Sequence, residues 1–87
     1  MSNFNSLISS ANKLKLKNDY YSALKLYEQA LSLNKKNIDL MYEIGSIHRS
    51  LGDLKKARQF FFKIIKEEPA NTKSHRMLST LFDYKFE

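Results

Sequence analysis

The chain has 87 residues with no cysteine, two glycines and one proline, and its formal net charge is +6. This composition excludes disulfides, thiolate metal sites and cysteine nucleophiles. Two glycines are also too few for a phosphate-binding loop or for a β fold with many tight turns. Because 43% of the residues are apolar, the chain is too hydrophobic to be disordered, and we expect one small helical domain over 1–87.

Targeting signals are not evident in the sequence. The N-terminal segment has only scattered apolar residues among serines and asparagines, which does not match the apolar core of a signal peptide. No apolar run approaches the roughly 20 residues that a membrane span requires. The sequence therefore predicts a cytoplasmic protein that does not bind membranes.

Apolar residues recur at helical spacing in five segments, and a potential capping residue precedes each one. The first, third and fifth segments follow Asn3, Asn37 and Asn71, whose side chains can accept a free backbone N–H. The second and fourth segments follow Asp19 and Asp53 in the same way. Five helices are expected, the odd-numbered ones starting at Phe4, Ile38 and Thr72.

The breaks between the helices also have a recognisable chemistry. Gly52 fits the left-handed conformation that ends many helices, and Asn18 is the next most suitable residue type at the corresponding place. Pro69 lacks a backbone N–H and therefore ends the second helical pair before the next cap.

A shift of 34 residues superposes the first two helical pairs, although only three residues in 34 are identical. Residue size carries the periodicity: small residues permit close helix approach, and large aromatics fill the space between units. The corresponding sets are Ala11 with Gly45 and Ser79, Ala23 with Ala57, and Tyr27 with Phe61. We therefore divide the chain into repeats over 4–37 and 38–71 and a terminal helix over 72–84.

This pattern resembles the tetratricopeptide repeat over residues 4–84. The second repeat matches more closely, through Gly45, Gly52, Ala57, Phe61 and Pro69, whereas the first departs at Ser10, Asn18 and Lys35. The resemblance implies an all-α fold: two helix-turn-helix repeats plus a fifth C-terminal helix, stacked as a right-handed α-solenoid.

The resemblance also implies a function. Tetratricopeptide arrays are non-catalytic, cofactor-free scaffolds that bind an extended peptide or a partner helix in a concave groove lined by their first helices. Carried onto this sequence, the groove residues are Asn5, Ile8, Asn12, Lys15, Tyr42, Ser46, Arg49, Lys73, Arg76 and Thr80, with Asp39 and Tyr84 beside them. The cations in this set favour an acidic peptide or a C-terminal carboxylate as the partner.

One subclass of the family grips a C-terminal carboxylate with five clamp residues. Two of the five positions match, at Asn12 and Lys73, but the others hold Ile8, Glu43 and Met77. Ile8 removes a cation and Glu43 adds a repelling anion, so the sequence argues against that clamp.

A shorter segment has a second resemblance. Residues 71–79, followed by Tyr84 and Lys85, look like the junction at which repeats precede a sulfotransferase domain in some bacterial proteins. An alternative function follows, in which this chain is the repeat portion of a larger protein and has no activity of its own.

Other chemistries receive less support. We expect His48 to be a packed core residue, and His75 to lie too far from it for the two to share a metal ion. No serine has a histidine and an aspartate arranged for a catalytic triad. The lysines are scattered around the helices instead of lining one face, which argues against nucleic-acid binding.

The terminal helix carries more apolar residues than one packed face can bury. Leu78 and Phe82 can pack against the second repeat, whereas Met77, Leu81 and Phe86 spread around the helix. A repeat stack needs a polar helix to cover its end. We therefore expect an incomplete array, or end-to-end self-association through this helix.

Overall fold

The computed structural model describes residues 3–82, which form five α-helices and contain no β-strand. The helices are α1 (Phe4–Leu16), α2 (Tyr20–Leu33), α3 (Ile38–Ser50), α4 (Leu54–Glu67) and α5 (Thr72–Phe82). The predicted starts of α1, α3 and α5 are confirmed. The last two positions of the predicted terminal helix, Asp83 and Tyr84, lie outside the described residues, as do Lys85 and Phe86.

Four of the five predicted caps accept a backbone N–H three residues ahead. The acceptors and donors are Asp19 with Ser22 at 3.4 Å, Asn37 with Leu40 at 3.0 Å, Asp53 with Lys56 at 3.2 Å and Asn71 with Ser74 at 2.9 Å. The prediction for Asn3 was wrong, because its side chain makes no capping hydrogen bond. Its backbone is already helical (φ −82°, ψ −9°), whereas a side-chain cap needs an extended conformation.

The turns inside the two helical pairs share one geometry. Asn18 (φ 64°) and Gly52 (φ 82°) both adopt the left-handed conformation. In each turn the next N–H, from Asp19 or Asp53, reaches back 2.9 Å to a carbonyl five residues earlier. This hydrogen bond satisfies a helix-end carbonyl, and the prediction for both turns is confirmed.

Two hydrophobic clusters hold the helices together. The first core joins α1, α2 and α3, and its buried residues are Ala11, Ala23, Leu24, Tyr27, Ala30, Leu40, Ile44 and Ile47. The second core joins α3, α4 and α5 through Met41, Ala57, Phe61, Ile64 and Leu78. Because α3 contributes to both cores, the second helical pair cannot shift without disturbing its neighbours.

Small residues permit the close approaches that the repeat predicted, with one exception. Ala11, Gly45 and Ala57 are buried at helix contacts, and Phe61 lies directly over Gly45. Ser79, the third member of the small set, is exposed instead, because no sixth helix packs on α5 within the described residues. Helical spacing also predicts that Leu54 belongs to the apolar stripe of α4, but this side chain is 43% exposed.

Each helix packs against the helices that precede and follow it in the chain. The described chain is therefore a row of helix-turn-helix units, as predicted, and α1, α3 and α5 are the first helices of successive units. The right-handed sense of the stack stays a prediction. Within residues 3–82, every helix is too short or too polar to cross a lipid bilayer.

Candidate binding groove

Two adjoining cavities run across the first helices of the units. The larger, about 750 Å³, lies between the N-terminal halves of α3 and α5. The smaller, about 330 Å³, lies between α1 and α3. Asn37, Asp39 and Glu43 line both cavities, so the two form one continuous surface, which we call the groove.

The larger cavity is built around an aromatic ring. Tyr42 is half-buried, and its ring meets the buried ring of Phe61 edge to face, with centroids 5.6 Å apart. This contact fixes the tyrosine against the second core. The Lys73 ammonium lies 5.6 Å from the centroid of the Tyr42 ring, which is within the range of a cation–π interaction.

An ion pair bridges the first two units at the edge of the groove. Lys15 Nζ on α1 donates to Glu43 Oε1 on α3 at 2.8 Å. The hydrogen bond to Glu43 raises the pKa of Lys15, against the opposing effect of desolvation. Nearby, the Tyr27 hydroxyl donates to Asn12 Oδ1, and burial raises the pKa of Tyr27.

Carboxylates outnumber cations in the larger cavity. Asp39, Glu43 and Glu68 line it, and Lys73 is the one cationic side chain among its described lining residues. Glu43 is neutralised by Lys15, and Glu68 accepts a hydrogen bond from Asn71 Nδ2 at 3.0 Å. This end of the groove is therefore acidic, although the chain as a whole carries a net charge of +6.

The structure places the predicted groove residues in three situations. Ile8, Asn12, Tyr42 and Lys73 line the groove. Lys15 is at its edge, held by Glu43. The remaining predicted residues lie on the same three helices but outside the lining of either cavity, and their contact with a partner stays a prediction: Asn5, Ser46, Arg49, Arg76 and Thr80.

Sequence reasoning missed part of the acidic lining. It identifies Glu43 only as a departure from a clamp, and it gives Glu68 no role. The 34-residue repeat contains a signal that could have identified Glu68 as a residue beside the groove. Glu68 and Asn71 precede α5 in the same way that Asn34 and Asn37 precede α3. Pairing between Lys15 and Glu43, which are 28 residues apart, has no comparable signal.

The two histidines are buried and lie apart from the groove. His48 stacks on Phe60 with ring centroids 6.0 Å apart, and burial lowers the pKa of His48. His75 Nε2 donates to the Pro69 carbonyl at 2.7 Å. Across the described part of the chain, no group of three or more histidine or acidic side chains is placed to hold a metal ion.

The terminal helix is better packed than its pattern predicted. Met77 and Leu81 are both partly buried against the second core, beside the buried Leu78. Among the residues whose burial the structure describes, the large apolar side chains that are most exposed lie outside α5: Leu16, Tyr21, Leu33, Leu54 and Phe62. Phe86, the third residue of the expected patch, is outside the described residues.

Comparison with protein families identifies a match over most of the chain. The model of the tetratricopeptide repeat matches residues 15–81, which span most of the chain from the end of α1 into α5. A search of curated proteins finds no significant match. The family match covers α3 and the α5 residues that line the groove, whereas the groove residues of α1 precede its first residue.

Proposed function

Because the chain belongs to the tetratricopeptide repeat family, we propose that it is a non-catalytic interaction scaffold that binds a peptide or a partner helix in the groove. The continuous surface across α1, α3 and α5 is the observation that supports this proposal. Its two cavities share three lining residues, which suits an extended segment better than a small molecule.

The exposed arginines suggest where an acidic residue of the partner would bind. Arg49 lies in the last turn of α3, and Arg76 lies on the next first helix. Arginine binds carboxylates through paired N–H donors, so these two residues are the proposed contacts for an acidic partner. Lys15 is not included, because Glu43 already neutralises it.

A binding test of the groove can start from peptides of random sequence. Peptides selected from a 12-residue display library are titrated into the ¹⁵N-labelled protein, and amide chemical shifts are followed. We expect the largest shifts on α1, α3 and α5. Shifts confined to the outward surfaces of α2 and α4 would contradict the groove as the binding site.

A matched pair of variants tests the arginine contacts. Arg49→Ala with Arg76→Ala removes two charges from the first helices, and Lys25→Ala with Lys55→Ala removes two from α2 and α4. For a selected acidic peptide, only the arginine variant is expected to weaken binding. Equal losses in both variants, with a steep dependence on salt, would instead indicate the diffuse electrostatics typical of nucleic-acid binding.

A further inference from the structure

We propose that the larger cavity of the groove, between the N-terminal turns of α3 and α5, binds a lysine or arginine side chain of the partner. This inference rests on the proposed function and specifies the chemistry of one subsite. It reverses the sign expected at this place from the sequence, in which Lys73 is one of the cations that favour an acidic partner.

The chain's own cation shows what the cavity accommodates. Lys73 Nζ lies over the Tyr42 ring, 5.6 Å from its centroid. The tyrosine is fixed by its edge-to-face contact with Phe61, so its exposed face is a preorganised surface for a cation. Lys73 is an exposed side chain on a flexible stem, and an incoming ammonium or guanidinium group can therefore displace it.

The carboxylates around the ring supply the complementary charge. Asp39 is exposed and forms no ion pair with any residue in the described part of the chain. Glu68 also lines the cavity, and its Oε1 accepts a hydrogen bond from Asn71 Nδ2. A basic side chain over Tyr42 would share the cavity with these two acidic residues, and Lys73 is the one cation among the described lining residues that would oppose it.

The same cavity is poorly suited to an anion. Helix N-termini attract anions through their free backbone N–H groups, and the cavity lies at the starts of α3 and α5. Here the Asn37 and Asn71 side chains already accept from Leu40 N and Ser74 N. Those donors are therefore occupied, and the nearby carboxylates would repel an anion.

The test uses three small probes with the same blocked backbone and unbranched side chains: the N-acetyl, N-methylamide derivatives of lysine, norleucine and glutamate. Each is titrated into ¹⁵N-labelled protein at 0.15 M salt, to millimolar concentration. We expect the lysine probe to shift the amides of Asp39, Tyr42 and Lys73 and to bind more tightly than the norleucine probe. Equal or stronger binding of the glutamate probe would overturn the proposal.

Two groove variants are expected to change the affinity for the lysine probe in opposite directions. Asp39→Asn with Glu68→Gln should weaken the lysine probe roughly threefold or more, as expected for loss of partly exposed ion pairs. Lys73→Met keeps the length of the stem and removes the competing cation, so it should tighten the lysine probe by about two- to fivefold. If Lys73 instead anchored an acidic group of the partner, Lys73→Met would weaken binding instead of tightening it.

The matched controls are Glu28→Gln and Lys25→Met, both on α2, which should leave the affinity unchanged. Circular dichroism confirms that each variant is folded. If library peptides shift α1, α3 and α5 while the lysine probe leaves the cavity unaffected, the proposed function stands and this subsite is wrong. If Asp39→Asn instead abolishes self-association seen in sedimentation, a second copy of the chain is the occupant, which also overturns it.

Discussion

Lys15 and Glu43 form an ion pair that joins the first two units at the edge of the groove, with 2.8 Å between Nζ and Oε1. One side chain comes from α1 and the other from α3, 28 residues apart. Their side chains remain 32% and 39% exposed, so solvent screens the pair in part. The pair both fixes one unit against the next and removes a cation from the set available to a partner.

A double-mutant cycle with Lys15→Met and Glu43→Gln should give a coupling energy of about 0.5–1 kcal/mol, the upper range for a partly exposed pair. Urea unfolding of the four proteins measures it. Because the folded-state pKa of Lys15 is raised above 10.5, the coupling should be fully present at pH 7 and lost only as the pH rises through that raised pKa. A coupling near zero at pH 7 would show that the pair does not stabilise the stack.

Gly45→Ala tests the closest helix approach in the second unit. An added Cβ would lie 3.0 and 3.1 Å from two ring atoms of Phe61 and 3.3 Å from Phe60 Cβ. Alanine gains roughly 0.5–1 kcal/mol over glycine within a helix, but the Phe61 ring is fully buried and has little room to move. We expect overpacking to dominate, with a net loss of about 1 kcal/mol in unfolding free energy.

Ser46→Ala, at the adjacent and partly exposed position, is the control for Gly45→Ala and should change stability by less than about 0.5 kcal/mol. If Gly45→Ala were more stable than the wild type, the Phe61 ring must be able to shift, and the higher helix propensity of alanine would outweigh the cost of overpacking.

Gly52→Ala tests backbone conformation without a packing change. No atom lies within 4 Å of the Cβ that would be added, but φ is +82°. A non-glycine residue in the left-handed region costs about 1–2 kcal/mol, so the unfolding free energy should fall by about 1 kcal/mol. Gly52→Asn should cost less, because asparagine adopts this conformation at Asn18 (φ 64°). Equal losses in both variants would contradict a conformational cause.

His48 should make stability depend on pH. Burial lowers its folded-state pKa below 6.5, although the charges of Asp53 and Glu28 oppose this effect and Lys56 adds to it. As the pH falls, the unfolded chain binds the proton first. The contribution of neutral His48 is therefore present above about pH 6.5 and is lost as the pH falls through the lowered pKa.

The measurement is the urea midpoint at pH 7 and at pH 5 for the wild type and for His48→Leu, which introduces the residue found at the equivalent position, Leu14. The wild type should lose more stability between the two pH values than the variant does. Identical pH dependence would exclude His48 as the responsible group.

The helices and most of their ends could be predicted from residue types and spacing alone. The four side-chain caps accept hydrogen bonds from backbone N–H groups three residues ahead: Asp19, Asn37, Asp53 and Asn71. Asn18 and Gly52 end their helices by adopting positive φ angles. These are local effects, so they can be recognised from residue types and spacing. The prediction that Asn3 caps α1 was wrong because the backbone of Asn3 is itself helical, and its residue type does not reveal that conformation.

The charge and pairing of the groove residues depend instead on how the helices pack together. Whether Lys15 meets Glu43, and whether Asp39 and Glu68 line one cavity with Tyr42, depends on how α1, α3 and α5 are rotated and spaced. The two cores set those rotations through contacts between residues of different helices, such as Tyr27 on α2 and Phe61 on α4. A residue pattern can therefore place a cation on the right helix, but packing decides whether that cation is already paired when a partner arrives.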